Sequence, residues 1–261
     1  MEPTLERKQH RLFNILCGIF ITNAILAEII GAKIFSVEKT IGTNPAHLNI
    51  LGFTMDFNLT AGVIIWPVVF ITSDLINEYF GKPGVKRISY FTVILIAYSF
   101  AVLFLAIVLP PADWWLDANS KDAAGNAFNI NFAFGKIFGQ GLRIIIGSIT
   151  AFLLGQLVDV FIFQKLRKVT GHKRLWIRAT GSTLVSQLVD SYVVLFIAFY
   201  GVMPTDQIFA IGITNYTYKF IIAIVLTPII YLGHVLIDRY LGKEHADKLS
   251  AEAAGNSEGF F

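Results

Sequence analysis

The chain has 261 residues, of which 55% are hydrophobic and 15% charged, whereas about a quarter of an ordinary soluble domain is charged. So much apolar surface excludes a soluble globular fold of this size. The net charge of +3 arises in short segments between apolar runs, so it points to membrane topology and away from a nucleic-acid partner. Cys17 is the only cysteine, which excludes an intrachain disulfide and a cysteine-based metal cluster.

A helix crossing the hydrocarbon core needs roughly 20 apolar residues. Six stretches qualify: 12–35, 57–77, 88–109, 143–164, 176–200 and 214–237. They predict an all-α integral membrane protein with six transmembrane helices, residues 1–245 forming one domain and 246–261 a flexible C-terminal tail. The first stretch follows the basic segment 7–11 and runs on without a small-x-small cleavage site, so it reads as a retained helix and not a signal peptide. Bulky Leu16 before Cys17 argues against a lipoprotein signal. Ala24, Ala27 and Gly31 give this helix a small-residue edge for close packing, and Asn23, Glu28 and Lys33 are its polar residues.

The second stretch holds Trp66, Phe70, Asp74, Asn77 and Glu78, aromatics leading down to acids. Pro67 within it frees a carbonyl and predicts a kink or a cavity lining. After the third stretch, Trp114 and Trp115 follow Pro110 and Pro111 as interfacial anchors do. The segment NINFAFGKIFG (129–139) lies either at the outer interface or at the start of the fourth span. The tail's GNSEG (255–259) matches G-x-S-x-G but lacks the strand–turn–helix setting that motif needs.

The loops after the second and fourth spans, KPGVKR (82–87) and QKLRKVTGHKR (164–174), join Arg7, Lys8, Arg11, Arg239, Lys243 and Lys248 on one side. The opposite loops, 36–56, 110–135 and 201–213, are poor in Lys and Arg. The alternation predicts that both termini are cytoplasmic, N-in and C-in.

An ionisable side chain at mid-membrane costs at least about 2.5–3.5 kcal/mol on insertion scales, so each one needs a reason. The fourth and fifth spans repeat the tetrapeptide QLVD at 156–159 and 187–190. Gln156 and Asp159, like Gln187 and Asp190, are three apart and share a helix face. Thr183 and Ser186 extend the second stripe. The bland reading is interhelical hydrogen bonding, which suits the Ser and Thr residues; a carboxylate at Asp190 favours a site. For Asp159 an ion pair with Arg178 or Lys165 is the bland role, and for Glu78 a snorkelling interfacial cluster. In the sixth span Asn215, Tyr218 and Lys219 stand near the outer end. Glu28 at that depth predicts a Glu28–Lys219 ion pair, with Lys33 as the competing cation.

Taken together, NAILAEIIGAKIF (23–35), WPVVFITSDLINEYFGK (66–82), GSITAFLLGQLVDVFIF (147–163) and STLVSQLVDSYVVLFIAF (182–199) resemble the bacterial queuosine-precursor transporters, a group of vitamin-uptake-like membrane proteins. The resemblance covers all six spans, residues 12–240. It implies a multi-pass protein of the bacterial cell (inner) membrane that imports a 7-deazaguanine, whether 7-cyano- or 7-aminomethyl-7-deazaguanine or the base queuine. It also implies a fold related to the six-helix binding components of energy-coupling-factor transporters. A coupling module or a homo-oligomer is then a conceivable partner, alongside the nucleobase and the lipid bilayer. Those components dock a shared module through a small-residue motif on the first helix, often Ala-x-x-x-Ala; the nearest match here, Ala27-x-x-x-Gly31, lies in the outer half of the span, which weakens the case for ATP-driven coupling.

No cofactor, metal site or catalytic residue is expected. A nucleotide-binding loop and an H-E-x-x-H motif are both missing from the sequence, which speaks against an ATP engine in this chain and against a membrane metalloenzyme. The expected substrate-binding set is Asp190, Gln187, Gln156, Glu28, Asn23, Trp66, Phe70, Asp74, Tyr218 and Lys219. Carboxylates would accept from the ring N–H and amine, amides or Lys219 would donate to its carbonyl, and aromatics would cover its face. Competing readings are a binding subunit or receptor that does not transport alone, and a carrier of another vitamin-like heterocycle.

Overall fold

The structure, a computed structural model, describes residues 3–170 and 175–255. Helix α1 (Pro3–Ile30) leads into a small extended region containing β1 (Ile34–Ser36), α2 (Val37–Ile41), β2 (Leu48–Ile50), β3 (Phe53–Met55) and β4 (Asn58–Thr60). A 3₁₀ turn (Ala61–Ile64) then enters α3 (Trp66–Val108), which is followed by α4 (Asp113–Ala118), α5 (Ile130–Phe138), α6 (Leu142–Thr170), α7 (Leu175–Phe199), α8 (Thr205–Leu241) and α9 (Lys243–Gly255). Among the described residues, five helical stretches are long and apolar enough to cross a membrane. Large apolar side chains such as Ile94, Leu105, Ile221 and Val225 stay exposed while Phe20, Val69, Ile76 and Ile96 fill the interior. A surface that apolar suits lipid.

Helix α3 contains what the sequence reads as two spans and the loop between them. A straight helix of 43 residues would be about 65 Å long, far beyond the roughly 30 Å hydrocarbon core. It is not straight, because Gly81 has φ 67° and ψ −173°, a conformation essentially reserved for glycine. The two arms, 66–80 and 82–108, fold back on each other there. Near the turn, the Phe80 ring lies 4.8 Å from that of Phe13, early in α1. At the other end both arms return to the end of α1. A methyl group on Gly62, just before the first arm, would lie 2.5 Å from the Ala27 carbonyl oxygen. Ile107, closing the second arm, approaches Gly139 beside Gln140, whose Nε2 donates to the Glu28 carbonyl at 3.0 Å. One glycine thus does the work expected of the KPGVKR loop, and Pro83 falls in the first turn of the second arm, where a missing N–H costs little.

Other boundaries differ for local reasons. Pro67 sits at the very start of α3, so of the two outcomes expected from it the kink does not arise, while Pro67 does line a cavity. The 36–56 loop and the residues flanking it form two antiparallel ribbons, β1 with β4 at its ends and β2 with β3 within it. Glu38 joins this region together, accepting from the Phe57 backbone N–H at 2.7 Å and from Ser36 Oγ at 2.9 Å. That backbone N–H above all holds the Glu38 carboxyl below the usual carboxylate range. Segment 129–139 is a separate short helix, α5, set off from α6 at Gly139. The tail expected from 246 is instead helical through Gly255, with Ala246, Leu249, Ser250 and Ala253 buried. Most of GNSEG lies outside the described residues.

Candidate functional site

The repeated QLVD segments face one another. Helices α6 and α7 pack with Gly155 against the Asp190 side chain, where an added methyl group would sit 3.4 Å from Asp190 Cβ. One turn away, Ser186 Oγ donates to Asp159 Oδ1 at 3.2 Å. The expected partners of Asp159, Arg178 and Lys165, are replaced by this hydroxyl, and Arg178 goes to Glu78, its Nη2 2.7 Å from Oε1. Glu78 is therefore not a snorkelling group; it is buried, at 4% exposure. Gln156 accepts from Ser73 Oγ at 2.9 Å, an interhelical hydrogen bond between α6 and the first arm of α3.

The expected Glu28–Lys219 pair does not form. Lys219 Nζ lies 2.6 Å from Asp190 Oδ2, and Glu28 accepts from Ser148 Oγ at 2.7 and 2.6 Å. Asn23 donates from Nδ2 to the Ile19 carbonyl in its own helix, and Lys33 is exposed.

Between the first arm of α3, α7 and α8 lies a cavity holding about 550 Å³ of empty space, its mouth included. Trp66, Phe70 and Asp74 line it from α3, Thr180, Thr183 and Gln187 from α7, and Tyr218 and Lys219 from α8. Six of the ten expected residues thus meet at one place: Trp66, Phe70, Asp74, Gln187, Tyr218 and Lys219. Asp190 reaches the cavity only through its bond to Lys219, while Glu28, Asn23 and Gln156 do not line it.

The spacing explains the convergence. Trp66, Phe70 and Asp74 recur every fourth residue along one helical face, as do Thr183 and Gln187. Trp66 and Phe70 stack on each other, with ring centroids 5.8 Å apart and planes 22° apart, which makes a flat aromatic wall. Below it, Asp74 Oδ1 and across from it Gln187 Oε1 are buried oxygens without a hydrogen-bond partner. A buried acceptor left unsatisfied costs about 1–3 kcal/mol, so two of them lining one cavity are a feature that a ligand bearing N–H donors would relieve.

Sequence reasoning missed the apolar lining from α8, Ile222, Ala223, Leu226 and Ile230. These lie on the helical face that also carries Tyr218 and Lys219. The signal was a continuation of that face at steps of three and four, invisible by composition in a span that is apolar all round.

A family model described as "putative vitamin uptake transporter" matches residues 60–233. Among curated proteins, the chain is 28% identical over 198 residues to the "probable queuosine precursor transporter" of Bacillus subtilis (strain 168), covering 74% of this chain and 80% of that protein. It is 29% identical over 205 residues to the queuosine precursor transporter of Escherichia coli (strain K12), covering 76% of this chain and 83% of the relative. A Haemophilus influenzae protein described in the same words as the Bacillus one is 29% identical over 189 residues. No solved structure matches the chain significantly.

Proposed function

Because the chain belongs to the vitamin uptake transporter family, we propose that it is a multi-pass importer of queuosine precursors, a carrier of 7-deazaguanine bases across the bacterial inner membrane. The relatives that bear the queuosine precursor name are matched over most of their length. The observation that carries the substrate reading is the pair of unpartnered buried oxygens, Asp74 Oδ1 and Gln187 Oε1, beside the Trp66–Phe70 wall. A deazaguanine is flat, presents a ring N–H next to an exocyclic amine, and carries a carbonyl on the same ring. Asp74 accepts from the two donors, Gln187 and Lys219 meet the polar groups opposite, and the aromatics cover the ring face. Asp190 sets the position of the Lys219 ammonium.

We read six crossings with both termini in the cytoplasm. Supporting this, the fold-back at Gly81 divides α3 into two arms that share one end of α1. Supporting the orientation, Lys8 donates to the Tyr240 carbonyl, so the basic start of α1 and the basic end of α8 lie together. The protein has no enzymatic step in this reading; its substrate leaves unchanged.

Uptake of labelled 7-cyano-7-deazaguanine, 7-aminomethyl-7-deazaguanine and queuine by proteoliposomes holding only this chain tests the proposal. Saturable uptake of one base, lost in Asp74→Asn, is expected. Binding without uptake would leave a receptor or a subunit that needs a partner, and neither binding nor uptake of any of the three would overturn the substrate class.

A further inference from the structure

The floor of the cavity is formed by Asp74 and Ile71 on α3, Thr180 on α7 and Ile230 on α8. One helical turn beyond Asp74, toward the end of the bundle that carries α9, stands Glu78. Its carboxylate receives Arg178 from α7 in a two-pronged contact, Nη2 to Oε1 at 2.7 Å and Nε to Oε2 at 3.0 Å. Arg167 arrives from α6, with Nη2 3.4 Å from Oε1 and Nη1 donating to the Glu78 carbonyl at 3.2 Å. The C-terminal helix closes the group: Ser250 Oγ donates to Glu78 Oε1 at 2.9 Å, while its carbonyl and hydroxyl oxygens accept from Arg167 Nη2 at 2.6 and 2.7 Å. Four elements therefore meet on one carboxylate.

We propose that the Glu78–Arg167–Arg178–Ser250 cluster is the inner gate of the transporter, and that α9 is the latch that holds it shut. The inference rests on the transport reading and the cytoplasmic placement of the C-terminus, and adds which contacts must break for ligand to leave.

The side chains of Glu78, Arg167 and Arg178 are 3–5% exposed, against 19% and 22% for Lys219 and Asp190 at the other end of the cavity. A ligand resting on Asp74 thus has a sealed route on one side and a partly exposed ion pair on the other. Chemistry makes the seal reversible. Bidentate guanidinium–carboxylate bonds are strong in a dry site, yet each partner regains hydration when water enters, so the net difference between closed and open is small. Among the ties of the latch, Ser250 binds Glu78 and Arg167, and Ala253 packs against Gly81 at the fold-back, where a methyl group would come within 2.8 Å of its carbonyl oxygen. Lifting α9 removes two of the acceptors of Arg167 and one donor to Glu78 while leaving the Arg178 pair in place.

The test uses thiol accessibility, which needs no ligand and so stands apart from the substrate assignment. In a Cys17→Ser background, Thr183→Cys places a thiol on the cavity wall little more than one turn above Arg178. Membrane vesicles of each orientation are treated with a membrane-impermeant maleimide. With the cluster intact, labelling from the C-terminal side is expected to be slow. It should become at least ten-fold faster in Ser250→Ala, in a chain ending at Gly242, and in Glu78→Gln, with labelling from the opposite side unchanged. Should Glu78→Gln fail to reach the membrane, Ser250→Ala and the shortened chain decide. Fast labelling of the intact protein from the C-terminal side, or no change on removing α9, would overturn the proposal.

Discussion

Asp190 on α7 and Lys219 on α8 are held 2.6 Å apart, Oδ2 to Nζ, at the edge of the cavity. The pair fixes a cation on the cavity wall and spares both helices an isolated charge. Each side chain keeps about a fifth of its exposure, at 22% and 19%, so removing one partner is expected to destabilise the protein by about 1–2 kcal/mol, less than for a fully buried pair. Thermal unfolding of Asp190→Asn, Lys219→Met and the double variant in detergent checks this. The double variant should be milder than the sum of the singles, and strict additivity would show that the two charges are independent.

Asp74→Asn is expected to weaken binding of a 7-deazaguanine by about ten- to a hundred-fold, the loss of one or two hydrogen bonds to a buried acceptor. Asn23→Ala, a residue bonded only within its own helix, should bind as the parent does. Equilibrium binding to purified protein separates them; equal losses in both variants would remove Asp74 from the site.

Gly81→Ala asks an L residue to adopt φ 67° and ψ −173° and brings a methyl group to within 2.8 Å of the Ala253 carbonyl. The backbone term alone is about 1–3 kcal/mol. A chain ending at Gly242 lacks the second term, so alanine should cost less there. A melting temperature unaffected by Gly81→Ala in the full chain would contradict the fold-back.

Glu38 predicts a pH dependence outside the membrane. Its folded carboxyl is held below the ordinary range, chiefly by the Phe57 N–H, so its contribution is present above the pH at which a free carboxyl ionises. That contribution is lost as pH falls through the folded value. Amide protection in residues 34–60, taken as the exchange rate relative to the intrinsic rate at the same pH, should fall on acidification below the ordinary carboxylate range, and Glu38→Gln should show the lower protection at neutral pH already. Protection independent of pH in the parent would exclude this role.

The membrane class and the helical core of the spans are legible in the sequence because long apolar runs leave few alternatives. Trp66, Phe70 and Asp74 were legible as one lining face because a four-residue spacing fixes a common side of the helix. What failed was partner choice. Depth along a helix places Glu28 near Lys219, but only the rotation and packing of α7 and α8 decide that Asp190 takes the lysine and Ser148 the glutamate. Arg178 and Arg167 illustrate the same gap: both sit in or beside a segment read as a basic loop, yet they turn inward to a carboxylate on another helix. The break between the second and third spans was legible from KPGVKR, but not that it narrows to Gly81 alone with 82–87 already helical, and α9 was hidden because its four buried residues are spaced along an otherwise polar helix.

The place of Ser250 in the Glu78 cluster has a consequence for biosynthesis. Segments of a growing chain are made and begin to fold in order from the N-terminus, and Glu78, Arg167 and Arg178 enter the membrane long before Ser250 is made. Until then the nascent bundle holds an incomplete charged knot, one carboxylate for two guanidiniums. Docking of α9 is therefore the step that completes the cluster, and nascent chains stalled short of Ser250 will be held in a looser, protease-sensitive form.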